Sequence, residues 1–442
     1  MLRVFVFLLC LATAIHARSL CDLSADDGIR CECTETEAVC EPTRPLESLV
    51  PADHRLPYEK FKSRRNVRTI TSLLLQSPDD KSLLKKFPND IFKEPLHFKV
   101  VTVAHGALSV LEPFTAFGSD IVRELTISEC DITELKKKAI VGLKSLMKLD
   151  LSMNLMTEFG TGVLSDLPML EELIIAHSEL KEVKAHAFVE LGALKSLSLK
   201  DNKLTSFDNE LLTGLERLER LDLSYNFLEK IDDNSFVDVP RLTHIDLTGN
   251  RLLSVTPTTF KGLYFLRNLS MGYNDLTSLP DAFLRDSRVL KHLNLERNRL
   301  RTVTLDSLHG LQVIRPDFFL DLRFNPLTCS CDLYYLTELR KRRLATMANE
   351  FEDPPEFRNL QCRVPDGDSF EPRVIDDELF VKNQCQELGG LAQHIPPPSS
   401  QSISHSPTYS SASSLNTSTA NPLRPLLPVI LAALLLLRLV EH

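Results

Sequence analysis

The chain has 442 residues, length enough for two or three ordinary domains, and 43% of them are hydrophobic against 25% charged, so it can bury a large core and is not disordered overall. A formal charge of −9 argues against a nucleic-acid binder, which needs a basic surface or stripe; only 15 glycines and no Trp leave little material for phosphate-cradling loops or indole-lined sugar sites. The ten cysteines lie mostly at the two ends.

Residues 1–17 read as a secretory signal peptide, with Arg3 as the positive start, Val4 to Leu11 as the apolar run, and Ala12-Thr13-Ala14 or Ala17 as the cleavage site. Cys10 leaves with it, so the mature chain enters an oxidising compartment with nine cysteines. Residues 18–97 form an N-terminal cysteine cap with irregular first repeats. Cys21, Cys31, Cys33 and Cys40 open it, and spacing alone leaves three pairings for four cysteines. A degenerate repeat stands around Ile70, Leu73 and Leu75, whereas Glu41 to His97 otherwise fits the repeat poorly.

Residues 98–327 are self-similar. The pattern L-x-x-L-x-L-x-x-N-x-L, complete in Leu194 to Leu204, starts at Val122, Leu146, Leu170, Leu194, Leu218, Leu242, Leu266 and Leu290, always 24 residues apart. Phe98 begins a weaker unit in the same phase, with Val101, Val103 and Leu108 in the apolar places and Gly106 where Asn is expected. After Ile314 the phase slips by three residues, to Leu320-Asp321-Leu322, Asn325 and Leu327.

Alternating leucines make a short strand with one face in the core, and stacked units build a parallel sheet along a curved solenoid. The amides of Asn154, Asn202, Asn226, Asn250, Asn274, Asn298 and Asn325 are suited to satisfying backbone groups at the inner turn. Cys130 and Ser178 replace Asn in two units, which reads Cys130 as a buried free thiol. Phe188, Phe236, Phe260 and Phe283 recur as an aromatic spine opposite the strands.

Residues 328–386 form the C-terminal cap around Cys329, Cys331, Cys362 and Cys385, with a basic run, Arg340-Lys341-Arg342-Arg343, read as a solvated helix face. Residues 387–425, rich in Ser, Thr and Pro, read as an extended stalk. Residues 426–442 are a hydrophobic tail, shorter than the ~20 apolar residues of a spanning helix. With small residues at Ser413, Ser414, Asn416 and Ser418 upstream, the layout is that of a glycosylphosphatidylinositol (GPI) attachment signal whose tail is removed; a short transmembrane anchor is the alternative.

On these motifs the chain resembles, from Cys21 to Gln386, extracellular leucine-rich-repeat proteins with cysteine-flanked caps, and the whole layout looks like lipid-anchored members such as the Nogo receptor, connectin and chaoptin. The resemblance implies an α/β solenoid, a curved horseshoe with a parallel sheet on its concave face and disulfide-bonded caps. It also implies pairing of Cys21 with Cys33, Cys31 with Cys40, Cys329 with Cys362 and Cys331 with Cys385. A Trp after Asn325-Pro326 is missing, a departure from the family's C-terminal cap.

In proteins of this family ligands often bind on the concave face. There the position between the strand leucines is mildly acidic, the one before the strand is mixed, and the one before Asn carries Tyr and Arg, residues that often dominate interface energetics. The candidate contact surface is Arg220, Asp222, Tyr225, His244, Asp246, Tyr273, His292 and Arg297. His244 and His292 stand two repeats apart, roughly 10 Å, too far to share one metal ion. No Gly-x-Ser-x-Gly, His-Glu-x-x-His or phosphate-loop pattern occurs, so neither catalysis nor a cofactor is expected. Asn268 and Asn416 head glycosylation sequons, and a glycan on Asn268 would cover part of the candidate surface. The expected protein is therefore a non-enzymatic recognition or adhesion protein on the extracellular face of the plasma membrane, with an extracellular protein ligand and a co-receptor. The alternative is a secreted binding or regulatory subunit.

Overall fold

A computed structural model describes residues 29–45, 71–92, 98–207, 209–311, 317–334, 336, 361–363 and 373–374. The chain divides into a unit of residues 1–387 and one of 388–442, and the second lies outside the described residues. So do the proposed signal peptide, the stalk and tail, the GPI attachment candidates, Asn416, Ile70, Ile314, and the basic run at 340–343. Among the described residues no helix is long and apolar enough to cross a membrane.

The first unit is a solenoid built on one 13-stranded sheet. In chain order its strands are β1 (Ile29–Cys33), β2 (Glu37–Pro42), β3 (Ser72–Gln76), β4 (Val100–Ala104), β5 (Glu124–Ser128), β6 (Lys148–Asp150), β7 (Glu172–Ile174), β8 (Ser196–Ser198), β9 (Arg220–Asp222), β10 (His244–Asp246), β11 (Asn268–Ser270), β12 (His292–Asn294) and β13 (Phe319–Asp321). Spatial order follows chain order, and every pair after β1–β2 is parallel. From β5 to β12 the residues that pair are 24 apart, as Arg220 with His244, so the sequence period sets the register directly. The slip reappears as a pairing of His292 with Phe319, 27 positions on. The degenerate unit is β3: Leu73 and Leu75 are fully buried, and Ser72 pairs with Val100.

Strands β6 to β12 each bury their central leucine or isoleucine and leave the residues on either side on the outer face of the sheet. Behind the sheet the chain returns through turns, short 3-10 helices and two-residue strands; Glu158–Phe159, for instance, pairs with Glu182–Val183. There the rings of Phe236 and Phe260 stack at 5.7 Å, and Phe283 meets Phe260 edge-on at 6.2 Å. Phe159 and Phe188 form a separate pair at 5.4 Å, because Leu212 takes the spine position between Phe188 and Phe236.

The asparagines couple neighbouring repeats. Asn202 Nδ2 donates to Ile175 O (2.7 Å) in the preceding strand region and to Leu199 O (3.0 Å) in its own, while Oδ1 accepts from Leu180 N at 3.1 Å. Asn154, Asn226, Asn250, Asn274, Asn298 and Asn325 repeat the pattern. Cys130 imitates it with a thiol that donates to Ser128 O at 3.1 Å; it is buried and unpaired, and desolvation pushes its pKa up to about 12. Ser178 donates to Ala176 O at 3.3 Å and accepts from Asn154 N at 3.3 Å.

Both ends of the sheet are closed. Strands β1 and β2 form an antiparallel hairpin that buries Ile29 and Ala38, and Cys31 and Cys40, opposite each other in its register, are disulfide-bonded. Cys329 is bonded to Cys362 behind β13, with Leu333 and Leu336 buried beside the last repeat. Cys33 and Cys331 are also disulfide-bonded; Cys21 and Cys385 lie outside the described residues.

Candidate recognition surface

The outer face of β8 to β13 encloses a groove of about 550 Å³. Two rows of side chains line it, because residues on either side of each buried strand centre point outward in β8 to β12. One row runs Ser196, Arg220, His244, Asn268, His292 and Phe319; the other runs Ser198, Asp222, Asp246, Ser270 and Asn294. Five of the eight candidate residues meet here: Arg220, Asp222, His244, Asp246 and His292.

The groove thus sets cationic and imidazole groups beside carboxylates. His244 is held below the usual histidine range, first by partial burial and then by Arg220, Arg267 and His292; its Nδ1 lies 2.8 Å from Thr243 Oγ1. His292 packs against Phe319 with ring centroids 5.7 Å apart. The two aspartates carry a structural duty that their column did not announce. Asp222 Oδ1 accepts from Ser224 N, and Asp246 Oδ1 from Thr248 N, both at 2.9 Å. Asp150, Asn294 and Asp321 make the same bond two residues on, so the acidic column closes the turns that leave the strands.

Asn268 sits in the groove, with His244 and His292 as its register partners in the adjacent strands. In the N-terminal half of the same face, Lys148 and Glu172 are paired at 3.3 Å.

Tyr225, Tyr273 and Arg297 are placed elsewhere, on the turn flank beyond the strand ends. The residue before each ladder Asn turns the chain out of the strand in the left-handed region: φ is 56° at Tyr225, 55° at Tyr273, 52° at Arg297 and 59° at Phe324. Gly249 holds that place in the repeat after Tyr225, and a Cβ there would come within 2.8 Å of the Tyr225 ring. The flank also carries residues the sequence reading passed over. Arg251 lies over the Phe227 ring at 4.3 Å, in the position just after Asn, and Leu253 is 54% exposed two residues on. Extending the column comparison past the Asn would have found them.

The profile of the Leucine rich repeat family matches residues 121–180, 169–228, 192–252, 216–276, 240–300 and 265–327. Residues 121–327 are leucine-rich repeats. Among solved structures the fold is similar to that of a leucine-rich-repeat protein of Leptospira interrogans, with a TM-score of 0.50 and 22% identity over 68% of this chain and 70% of that one. A TLR13–ssRNA13 complex is a more distant likeness, with a TM-score of 0.41 and 17% identity over 81% of this chain and 66% of that one. No curated protein matches the sequence.

Proposed function

We propose that this leucine-rich-repeat protein is a non-enzymatic cell-surface recognition or adhesion protein that binds another extracellular protein through the C-terminal half of its repeat platform. The observation that carries the reading is the contrast along the sheet face. Lys148 and Glu172 neutralise each other in the N-terminal half, whereas β8 to β13 form a groove with mixed charge flanked by exposed Tyr225 and Tyr273. Such a surface offers orienting polar groups and large, rigid contact residues on a fixed backbone. Signal sequence, cysteine caps, stalk and a short apolar tail support export and tethering by a GPI anchor on the outer face of the plasma membrane. A lipid tether gives no route across the membrane, so a co-receptor is the expected signalling partner.

Phosphatidylinositol-specific phospholipase C should release the protein from intact cells. Native protein found free in the medium, with none released by the enzyme, would replace the anchored reading by that of a secreted binding subunit. In a pull-down of endogenous extracellular ligand, Arg220→Ala and Tyr225→Ala should each reduce capture, and unchanged capture in both would remove the C-terminal surface from the proposal.

A further inference from the structure

We infer that the anchoring contact lies on the turn flank rather than in the groove, and that it takes a carboxylate-bearing, aromatic-containing segment of a partner protein. The inference rests on the recognition-platform reading and narrows it to one surface and one partner chemistry.

Arg297 is the centre of the flank. Its guanidinium carbon lies 5.2 Å from the Tyr273 ring centroid and 4.6 Å from that of Phe324, so two rings hold the group between them. A guanidinium laid against a ring keeps its in-plane N–H donors available for a carboxylate, and a group already held in place loses little freedom on binding. Glu296 Oε1 forms an ion pair with Arg297 Nε at 3.7 Å, a separation beyond hydrogen-bond length, so it offsets part of the charge without occupying the guanidinium N–H donors. The rings themselves are open: Tyr225 is 52%, Tyr273 48% and Phe324 66% exposed.

Two further observations separate the flank from the groove. Asp222 and Asp246 in the groove already accept turn N–H groups, and the Asn268 sequon puts any glycan among the groove side chains. The flank carries neither constraint. Arg251, Arg297 and Arg299 outnumber Glu296 and Asp275 on the flank, an excess of positive charge in a protein of net charge −9, which selects an acidic partner by complementarity. Interleaved rings and Leu253 add apolar area that the aromatic and aliphatic side chains of a peptide bury more fully than a densely charged sulfated glycan does.

The test measures binding of the purified protein to a random Glu–Tyr copolymer, to poly-Glu and to heparin. The copolymer should bind more tightly than poly-Glu. Arg297→Ala and Tyr273→Ala should each weaken it by about tenfold or more, and Arg297→Lys, which keeps the charge but not the planar fork, should weaken it similarly. Lys148→Ala, on the distant N-terminal face, should leave it unchanged, and all variants should unfold at the parent's urea midpoint. No copolymer binding, or loss in Arg220→Ala without loss in Arg297→Ala, overturns the inference. Heparin binding that exceeds copolymer binding and survives Tyr273→Ala also overturns it, in favour of a sulfated-glycan site. Failure of the platform reading itself would show separately, as endogenous-ligand capture indifferent to groove and flank variants alike.

Discussion

The buried amide of Asn250 serves two repeats at once: Nδ2 donates to Leu223 O and Leu247 O, each at 3.0 Å, and Oδ1 accepts from Leu228 N at 3.1 Å. Asn250→Ala removes both roles and leaves backbone groups unsatisfied away from water, a loss of about 2–4 kcal/mol by urea denaturation. Asn250→Asp should also destabilise, because an ionised carboxylate cannot donate to the two carbonyls. Cys130 makes a different prediction. Its thiol is raised from an ordinary 9.0 to about 12 in the folded protein. Below pH 9 it is protonated in both states; between pH 9 and 12 the unfolded chain gives up its proton first, so stability falls as pH rises, by up to about 1.4 kcal/mol per pH unit. Urea midpoints of the parent and of Cys130→Ser should diverge across that window, the parent falling more steeply. Equal slopes would mean that the thiol is accessible to water.

At the scale of elements, strand positions were legible because the 24-residue period fixes them twice, through the buried leucines and through the Asn that ends each strand. Ile245 and Leu269 are buried where the pattern puts them, and Arg220 pairs with His244 as equal phase requires. The return segments were not legible to the same degree. Pairing of Phe159 with Val183 depends on how far one repeat leans on the next, which no local pattern records. The candidate surface divided for a similar reason: residues two to three places past a strand look adjacent in sequence, but the left-handed residue at Tyr225 or Tyr273 turns the chain away from the sheet face. The aromatic spine is the element most exposed to a single change. Phe260 touches both Phe236 and Phe283, so Phe260→Ala opens a cavity between three repeats and should cost about 3–5 kcal/mol by urea denaturation. Phe260→Leu, which refills part of the space, should cost less.

At the scale of the molecule, the initial expectation of several domains from length gives way, over residues 1–387, to one continuous core running from Ile29 in the first hairpin to Leu336 beyond the last repeat. Stability in such an array is a sum of repeats and their interfaces, so its ends matter out of proportion to their size. Replacing Cys329 and Cys362 together by Ser should lower stability by roughly 2–5 kcal/mol. The loss should appear first as faster hydrogen exchange in β13 and β12, with β5 to β7 still protected. Simultaneous loss throughout the sheet would instead show that the array unfolds as one cooperative unit.

The Tyr225 ring lies where Gly249, in the next repeat, has no side chain. Between β5 and β12, excising one whole 24-residue unit keeps the remaining strands in phase, so repeats in this part of the array are removable by count. They are not interchangeable by identity. Deletion of residues 249–272 brings Tyr273 into the place of Gly249, and its Cβ then collides with the Tyr225 ring. The shortened protein would fold with its flank rearranged, so gain or loss of a repeat can alter the partner surface while leaving the scaffold intact.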